Sequence, residues 1–227
     1  MKLTNDKQLW MPDSELWHKW GASYEKDKFK KCMEKVEAEG KQRRVALDIG
    51  AHIGIWTRKL SNLYDQVICF EPCKDHIECH NRNCSDRISN ITLYEHALGS
   101  KEEFLDMKVI VGRGGNNSFQ FGRQGKTRKY EHKTVSMKLY TLDSYGLDNV
   151  DFMKIDIESH ELEMLKGAEE TLKRCHPIIF IEDPTYFYNK KNNKNKPTGL
   201  DFLYDLGYTE NQYLGTYNYL TVYKGDT

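Results

Sequence analysis

From Val45 onward the chain alternates short apolar runs with longer segments whose apolar residues recur every three or four positions. The runs 45–49, 67–71 and 91–94 have the length and apolar content of buried strands. Between them the spacing predicts a helix over 53–64, with Trp56, Leu60 and Leu63 inward, and a second over 75–83. The alternation pauses from Glu102 to Thr141, where 104–111, 118–121 and 134–140 read as strands of a hairpin insertion. It resumes with a strand at 152–157, a helix at 160–174 carrying Leu162, Leu165, Ala168 and Leu172 on one face, and a strand at 177–182. A helix over 198–206 follows, and strands at 210–214 and 219–223 close the chain as an antiparallel hairpin. Strands joined through helices pair in parallel by right-handed crossovers. The expected fold is α/β and Rossmann-like: a mostly parallel seven-stranded sheet with an antiparallel C-terminal hairpin and a β-hairpin insertion.

Upstream, residues 14–39 read as helical. Phe29, Cys32, Met33 and Val36 share one face, and Gly40 stops the run. The chain then divides into an N-terminal helical extension, 1–44, and a main domain, 45–227, with the insertion at about 102–141.

Composition narrows the field. Hydrophobic residues make up 38% and charged residues 30%, a globular rather than disordered balance. Net charge is zero, so no global field draws the chain to nucleic acid or anionic lipid. No stretch approaches the roughly 18 apolar residues of a membrane helix. The first eight residues lack a signal peptide's apolar core, so a cytoplasmic setting with reduced thiols is expected. Cys73, His76, Cys79, His80 and Cys84 fit no common zinc-finger spacing and read as ordinary thiols and histidines. Residues 189–197, rich in Asn and Lys, read as a solvated loop.

The first strand runs into Asp48-Ile-Gly50-Ala51-His52-Ile-Gly54. Ligands of open parallel sheets bind at such carboxyl ends. Gly50 permits a tight turn, and Gly54 lets the next helix pack close to the strand. Glu71 ends the second strand, where an acidic side chain accepts hydrogen bonds from both ribose hydroxyls of a nucleoside. The second glycine of the dinucleotide fingerprint makes room for a pyrophosphate. Its absence suits a cofactor without one, such as S-adenosylmethionine.

These segments, with Glu71-Pro72, His96-Ala97-Leu-Gly-Ser100, Thr141-Leu-Asp-Ser144, Asp151-Phe-Met-Lys-Ile-Asp-Ile-Glu158, His160-Glu161, Leu165-Lys-Gly-Ala168 and Pro177–Glu182, stand in one order over residues 45–185. In that order they resemble the FkbM family of methyltransferases. The resemblance implies a class I methyltransferase fold, S-adenosylmethionine as methyl donor, and O-methylation of a hydroxyl on a sugar or other small molecule. It places the cofactor on Asp48, Gly50, Ala51, His52, Gly54, Glu71, Pro72, His96, Ala97 and Asp156. Two positions depart from the family pattern: Ser159 stands where glycine is usual, and His96 where asparagine is frequent.

Ionisable groups crowd the ends of the fourth and fifth strands: Asp156, Glu158, His160 and Glu161, then Glu182 and Asp183. Capping a helix N-terminus accounts for Glu158 or Glu161 but poorly for Asp156 or Glu182. Asp156, Glu158, His160 and Glu182 are therefore the catalytic candidates, with His160 or Asp156 as the base. An alternative has Asp156, Glu182 and Asp183 holding a divalent metal such as Mg²⁺. A further reading groups Lys154 with Asp156 and Glu182, as in RNA ribose methyltransferases, although Lys154 lies within a strand and is expected to point away. Asn116, Asn117 and Ser118, in the glycine-rich connector, are candidate acceptor contacts. Arg113, Arg123, Lys126, Arg128 and Lys129 would add charge for a phosphate-bearing acceptor. Trp10, Trp17 and Trp20 read as covers of a core edge or stacking groups. The expected partner is a small-molecule or glycan hydroxyl, with no membrane and no nucleic acid. RNA ribose methylation and a non-catalytic cofactor-binding module remain the alternatives.

Overall fold

A computed structural model describes residues 1–15, 21–86, 89–110, 117, 131–192 and 194–225. Two two-residue strands, β1 (Lys2–Leu3) and β2 (Trp10–Met11), pair antiparallel at the N-terminus. The helix α1 (Lys26–Ala38) then buries Cys32, Met33 and Val36, the face read from the periodicity. It is shorter than the 14–39 span. Glu25 takes left-handed backbone at φ 54°, which halts the helix on that side, and Ala22 N–H donates to Asp6 instead of to a helical carbonyl.

The main sheet is assembled from β3 (Val45–Ile49), β4 (Gln66–Phe70), β5 (Ile91–Tyr94), β9 (Val150–Ile155), β10 (Ile178–Glu182), β11 (Glu210–Gly215) and β12 (Asn218–Val222). Their spatial order is β5-β4-β3-β9-β10-β12-β11. The first five pair in parallel, and β12 runs antiparallel to both neighbours. This is the seven-stranded layout expected, and strand order reverses between β3 and β9. Strands β3, β9 and β10 are buried on both faces and read as continuous apolar runs, as central parallel strands do. The insertion is a separate sheet in which β6 (Ala97–Leu98) lies parallel to β8 (His132–Tyr140), and β8 antiparallel to β7 (Glu103–Ile110). No described helix is long and apolar enough to cross a membrane.

Several predicted helices are shortened or divided. The helix α2 spans only Ile55–Leu60, so Leu63 falls in the following turn and is exposed. The expected 160–174 helix is two, α4 (Glu161–Lys166) and α5 (Glu169–Cys175). The break has two causes. A Cβ on Gly167 would stand 2.0 Å from the Gly99 carbonyl oxygen, so only glycine fits there. Asp143, from a short 3₁₀ turn at 142–145, accepts the N–H groups of Glu170 and Thr171 at 3.1 and 2.8 Å and caps a new helix start. The loop expected at 189–197 is helical at its beginning, because α6 (Pro184–Asn192) runs into it. The helix α3 (Lys74–Asn83) and α7 (Gly199–Asp205, capped by Thr198) match their predictions.

Candidate active site

A cavity of about 300 Å³ opens at the carboxyl ends of β3, β4, β9 and β10, where the strand order reverses. The turn after β3 forms its floor. Gly50 has φ 79°, and a Cβ there would stand 2.0 Å from the Asp156 carbonyl oxygen. Glycine is what allows the ends of β3 and β9 to approach this closely. Gly50, Ala51 and His52 line the cavity, but Asp48 and Gly54 do not. Asp48 is wholly buried beneath it, accepting from Thr57 Oγ1 at 2.6 Å and facing Lys154 Nζ at 3.4 Å. Gly54 makes room for His80 of α3 and Cys84 just beyond its end, where a Cβ would stand 3.0 and 2.9 Å away, rather than for the strand.

Glu71 and Pro72 form the next wall. The Glu71 carboxylate accepts N–H bonds from His52 and Cys73, both at 2.9 Å, and meets His76 Nδ1 at 3.2 Å. Burial opposes its ionisation, but His76, His52 and the Cys73 N–H together hold its pKa down to about 2. Three of the roughly four acceptor positions of a carboxylate are thus engaged, leaving one for a ribose hydroxyl rather than two. The His52 and His76 rings lie 4.0 Å apart, and burial, then His76, keeps His52 neutral. His96 and Ala97 complete this end. His96 meets the Tyr145 hydroxyl through Nε2 at 2.5 Å and packs 4.4 Å from the Tyr140 ring. Burial lowers its pKa, so a neutral aromatic face borders the cavity.

At the opposite end, the four catalytic candidates Asp156, Glu158, His160 and Glu182 all line the cavity. Lys154 joins them, against expectation. Its Nζ donates to the Gly50 carbonyl at 2.7 Å and lies 3.4 Å from Asp48 and 3.7 Å from Asp156. Burial opposes its charge, yet Asp48, Asp156 and Glu25 raise its pKa to about 12. Burial, then Asp156 and Glu158, pushes Glu182 up to about 10, and burial raises Asp156 as well. Burial lowers His160, leaving it neutral.

Asp183 does not join Glu182. It is buried, and its oxygens accept the N–H groups of Tyr186 at 2.9 Å and Leu200 at 3.1 Å. It organises the starts of α6 and α7, so the expected Asp156–Glu182–Asp183 metal set is not assembled. Among the described residues, Glu71, Cys73 and His76 do bring three ligand atoms within 4.8 Å of one another. Glu71 already spends its oxygens there on N–H donors. None of the six cysteines forms a disulfide, all six being described residues.

The unusual Ser159 now has a structural meaning. Glu158 and Ser159 have φ 54° and 76°, the left-handed region where glycine is unstrained. Ser159 N–H donates to Glu161 Oε1 at 2.9 Å, which holds the loop in place. Glu161 is buried behind the cavity, and burial, then Asp183, pushes its pKa up to about 8.

Glu15, Tyr24 and Glu25 also line the cavity and were not legible beforehand. Glu25 accepts from Trp56 Nε1 at 2.9 Å and from Lys28 at 2.6 Å. The N-terminal extension therefore forms a wall of the site. Of the expected acceptor contacts, Asn117 lines the cavity and donates to Cys73 Sγ at 3.3 Å. Asn116, Ser118 and the connector's basic residues lie outside the described residues, as do Trp17 and Trp20. Trp10 packs under the Arg82 guanidinium at 3.6 Å, on the outer side of α3.

The model of the methyltransferase FkbM domain matches residues 48–209, well over half of the chain. The chain belongs to the FkbM methyltransferase family. Within reach of this family, it is 25% identical over 155 residues to the methyltransferase sdnD of Sordaria araneosa, covering 55% of this chain and 60% of that protein. It is 26% identical over 153 residues to the 2-O-methyltransferase NoeI of Sinorhizobium fredii, covering 61% and 62%. The chain thus spans about 60% of the length of these relatives. The solved precorrin-6y C5,15-methyltransferase of Geobacter metallireducens superposes with a TM-score of 0.52 over 99% of this chain and 98% of its own, at 14% identity. That likeness establishes the class I methyltransferase fold.

Proposed function

We propose that this FkbM-family chain is an S-adenosylmethionine-dependent O-methyltransferase acting on a sugar or glycan hydroxyl. The observation that carries the reading is the polarity of the cavity. One end is a nucleoside-type site of Gly50, Ala51, Glu71 and His96. The other gathers Glu25, Asp156, Glu158 and Glu182 around a single lysine. With Glu182 protonated, Glu25, Asp156 and Glu158 still outnumber Lys154, and a cationic sulfonium is favoured beside them. An uncharged polyol finds hydrogen-bond acceptors there, whereas a phosphate-rich acceptor meets repulsion.

The cofactor supplies an electrophilic methyl group held on sulfur. The chain has to orient the acceptor hydroxyl in line with that carbon and take its proton as the C–O bond forms and the C–S bond breaks. Lys154, at 3.7 Å, opposes the rise that burial imposes on Asp156 and favours its carboxylate form, which makes Asp156 the base. Glu182, protonated at neutral pH, orients the hydroxyl oxygen by donating to it. Neutral His160 stands on the same wall as a second proton acceptor. Burial raises both carboxyls, but only Asp156 has Lys154 opposing that rise, so Asp156 is assigned the base and Glu182 the donor.

Methylation of RNA ribose is the second reading, and one observation favours it: Lys154 turns into the cavity beside Asp156, with Glu182 on the same wall. The surrounding carboxylates oppose a polyanionic acceptor. Labelled methyl transfer to monosaccharides, oligosaccharides and RNA separates the two. Label on RNA alone would overturn the sugar reading, and cofactor binding with no transfer to any acceptor would indicate a non-catalytic module.

A further inference from the structure

An aromatic surface adjoins the acceptor end of the cavity and takes no part in the chemistry above. Phe187 and Tyr188, from α6, face Tyr213 and Tyr217, from the β11–β12 hairpin. Phe187 lies 6.3 Å from Tyr213 with ring planes 20° apart, and 5.0 Å from Tyr217. The hydroxyls of Tyr188 and Tyr217 are 2.8 Å apart. Tyr213 is 51% exposed.

The hairpin turn links this surface to the cavity. Thr216, exposed at the hairpin turn, lines the cavity mouth, and its neighbour Tyr217 accepts the Asp183 N–H at 2.9 Å, one residue beyond Glu182. The turn is built from the wrong residues for its shape. Thr216 and Tyr217 have φ 49° and 65°, a conformation that such turns ordinarily reach with Asn-Gly. A β-branched and an aromatic residue held there are strained, and such strain persists where the surrounding structure over-determines the backbone.

We propose that Phe187, Tyr213 and Tyr217 form a saccharide-stacking platform that takes the sugar unit next to the one methylated. The proposal rests on the sugar-acceptor reading. The C–H face of a pyranose is apolar and stacks on an aromatic ring, while its rim of hydroxyls is polar. The exposed Tyr213 ring, with half-buried Phe187 and Tyr217 beside it, offers the apolar face, and the carboxylates of the adjoining cavity offer acceptors to the hydroxyl rim. The acceptor class is thereby narrowed from a lone sugar to an uncharged oligosaccharide of at least two units.

The test uses the full chain saturated with S-adenosylhomocysteine. Glucose and N-acetylglucosamine are titrated against maltotriose, cellotriose and chitotriose by calorimetry. At least one trisaccharide is expected to bind about tenfold more tightly than its own monomer. Tyr213→Ala is expected to abolish that advantage and Tyr213→Phe to retain it, with S-adenosylhomocysteine affinity unchanged in both. Trisaccharides that bind no better than monomers would overturn the platform, as would an advantage that survives Tyr213→Ala. Methyl transfer to a monosaccharide with no trisaccharide advantage would remove the platform and leave the sugar reading intact. Transfer to RNA alone, with no saccharide bound, would remove both.

Discussion

Replacing Lys154 with methionine tests whether one buried cation organises the site. The Lys154 ammonium lies 3.4 Å from Asp48 and 3.7 Å from Asp156, and donates to the Gly50 carbonyl at 2.7 Å. At an effective dielectric of about 20, each ion pair at these distances carries roughly 5 kcal/mol of Coulomb energy. Desolvating the ammonium offsets much of that, and Asp156 is partly solvated, which weakens its share. Methionine of similar length fills the space but leaves Asp48 wholly buried with only the Thr57 hydroxyl. Removing one partner of a buried pair typically costs about 3–5 kcal/mol, and that range is expected in urea unfolding. Adding Asp48→Asn should restore about half of it, since the stranded charge is the main penalty. The sign of the pH dependence is also defined. Because the folded pKa is raised from the ordinary 10.5 to about 12, this stabilisation is complete below pH 10.5 and is lost as pH rises toward 12. A Lys154→Met loss below about 1 kcal/mol, or no recovery on adding Asp48→Asn, would refute the reasoning.

Five further outcomes are expected. Ser159→Gly should stabilise the fold by about 1 kcal/mol in denaturant titration by relieving left-handed backbone at φ 76°. Glu161 has its pKa raised from the ordinary 4.5 to about 8, so the folded state holds its proton longer and stability falls as pH rises between those values. Glu161→Gln should flatten that slope, measured as unfolding midpoint against pH. Glu71→Gln should weaken cofactor binding by about 10- to 100-fold in calorimetry, because it disturbs the carboxylate that the N–H groups of His52 and Cys73 hold in place. Asp156→Asn should lower turnover by about 10²- to 10⁴-fold, the range for general-base loss, and EDTA should leave wild-type turnover unchanged because Asp183 is committed to two N–H groups.

What the sequence determined by itself was the order and type of the elements, the glycine turn after the first strand and the acidic end of the second. These are local signals. Apolar period, a left-handed Gly50 and a carboxylate at a strand terminus are written in neighbouring residues. The FkbM motifs added the class I fold and the ends of β9 and β10 as the place for chemistry. Tertiary structure decided the rest. The direction of Lys154 is not legible in the sequence because β9 is buried on both faces, so alternation along the strand marks no polar side and cannot show where a lysine points. Asp183 looked like the partner of Glu182 because it is adjacent, yet successive residues leave a strand on opposite sides, and its oxygens serve α6 and α7. Glu15, Tyr24 and Glu25 enter the site from more than 20 residues upstream of the first motif, by folding of the extension over the strand ends. Ser159 was an anomaly in the string and became intelligible only as a backbone angle. Spacing along a chain records which residues share an element. Which side chains share a cavity depends on how the elements cross, and packing settles that.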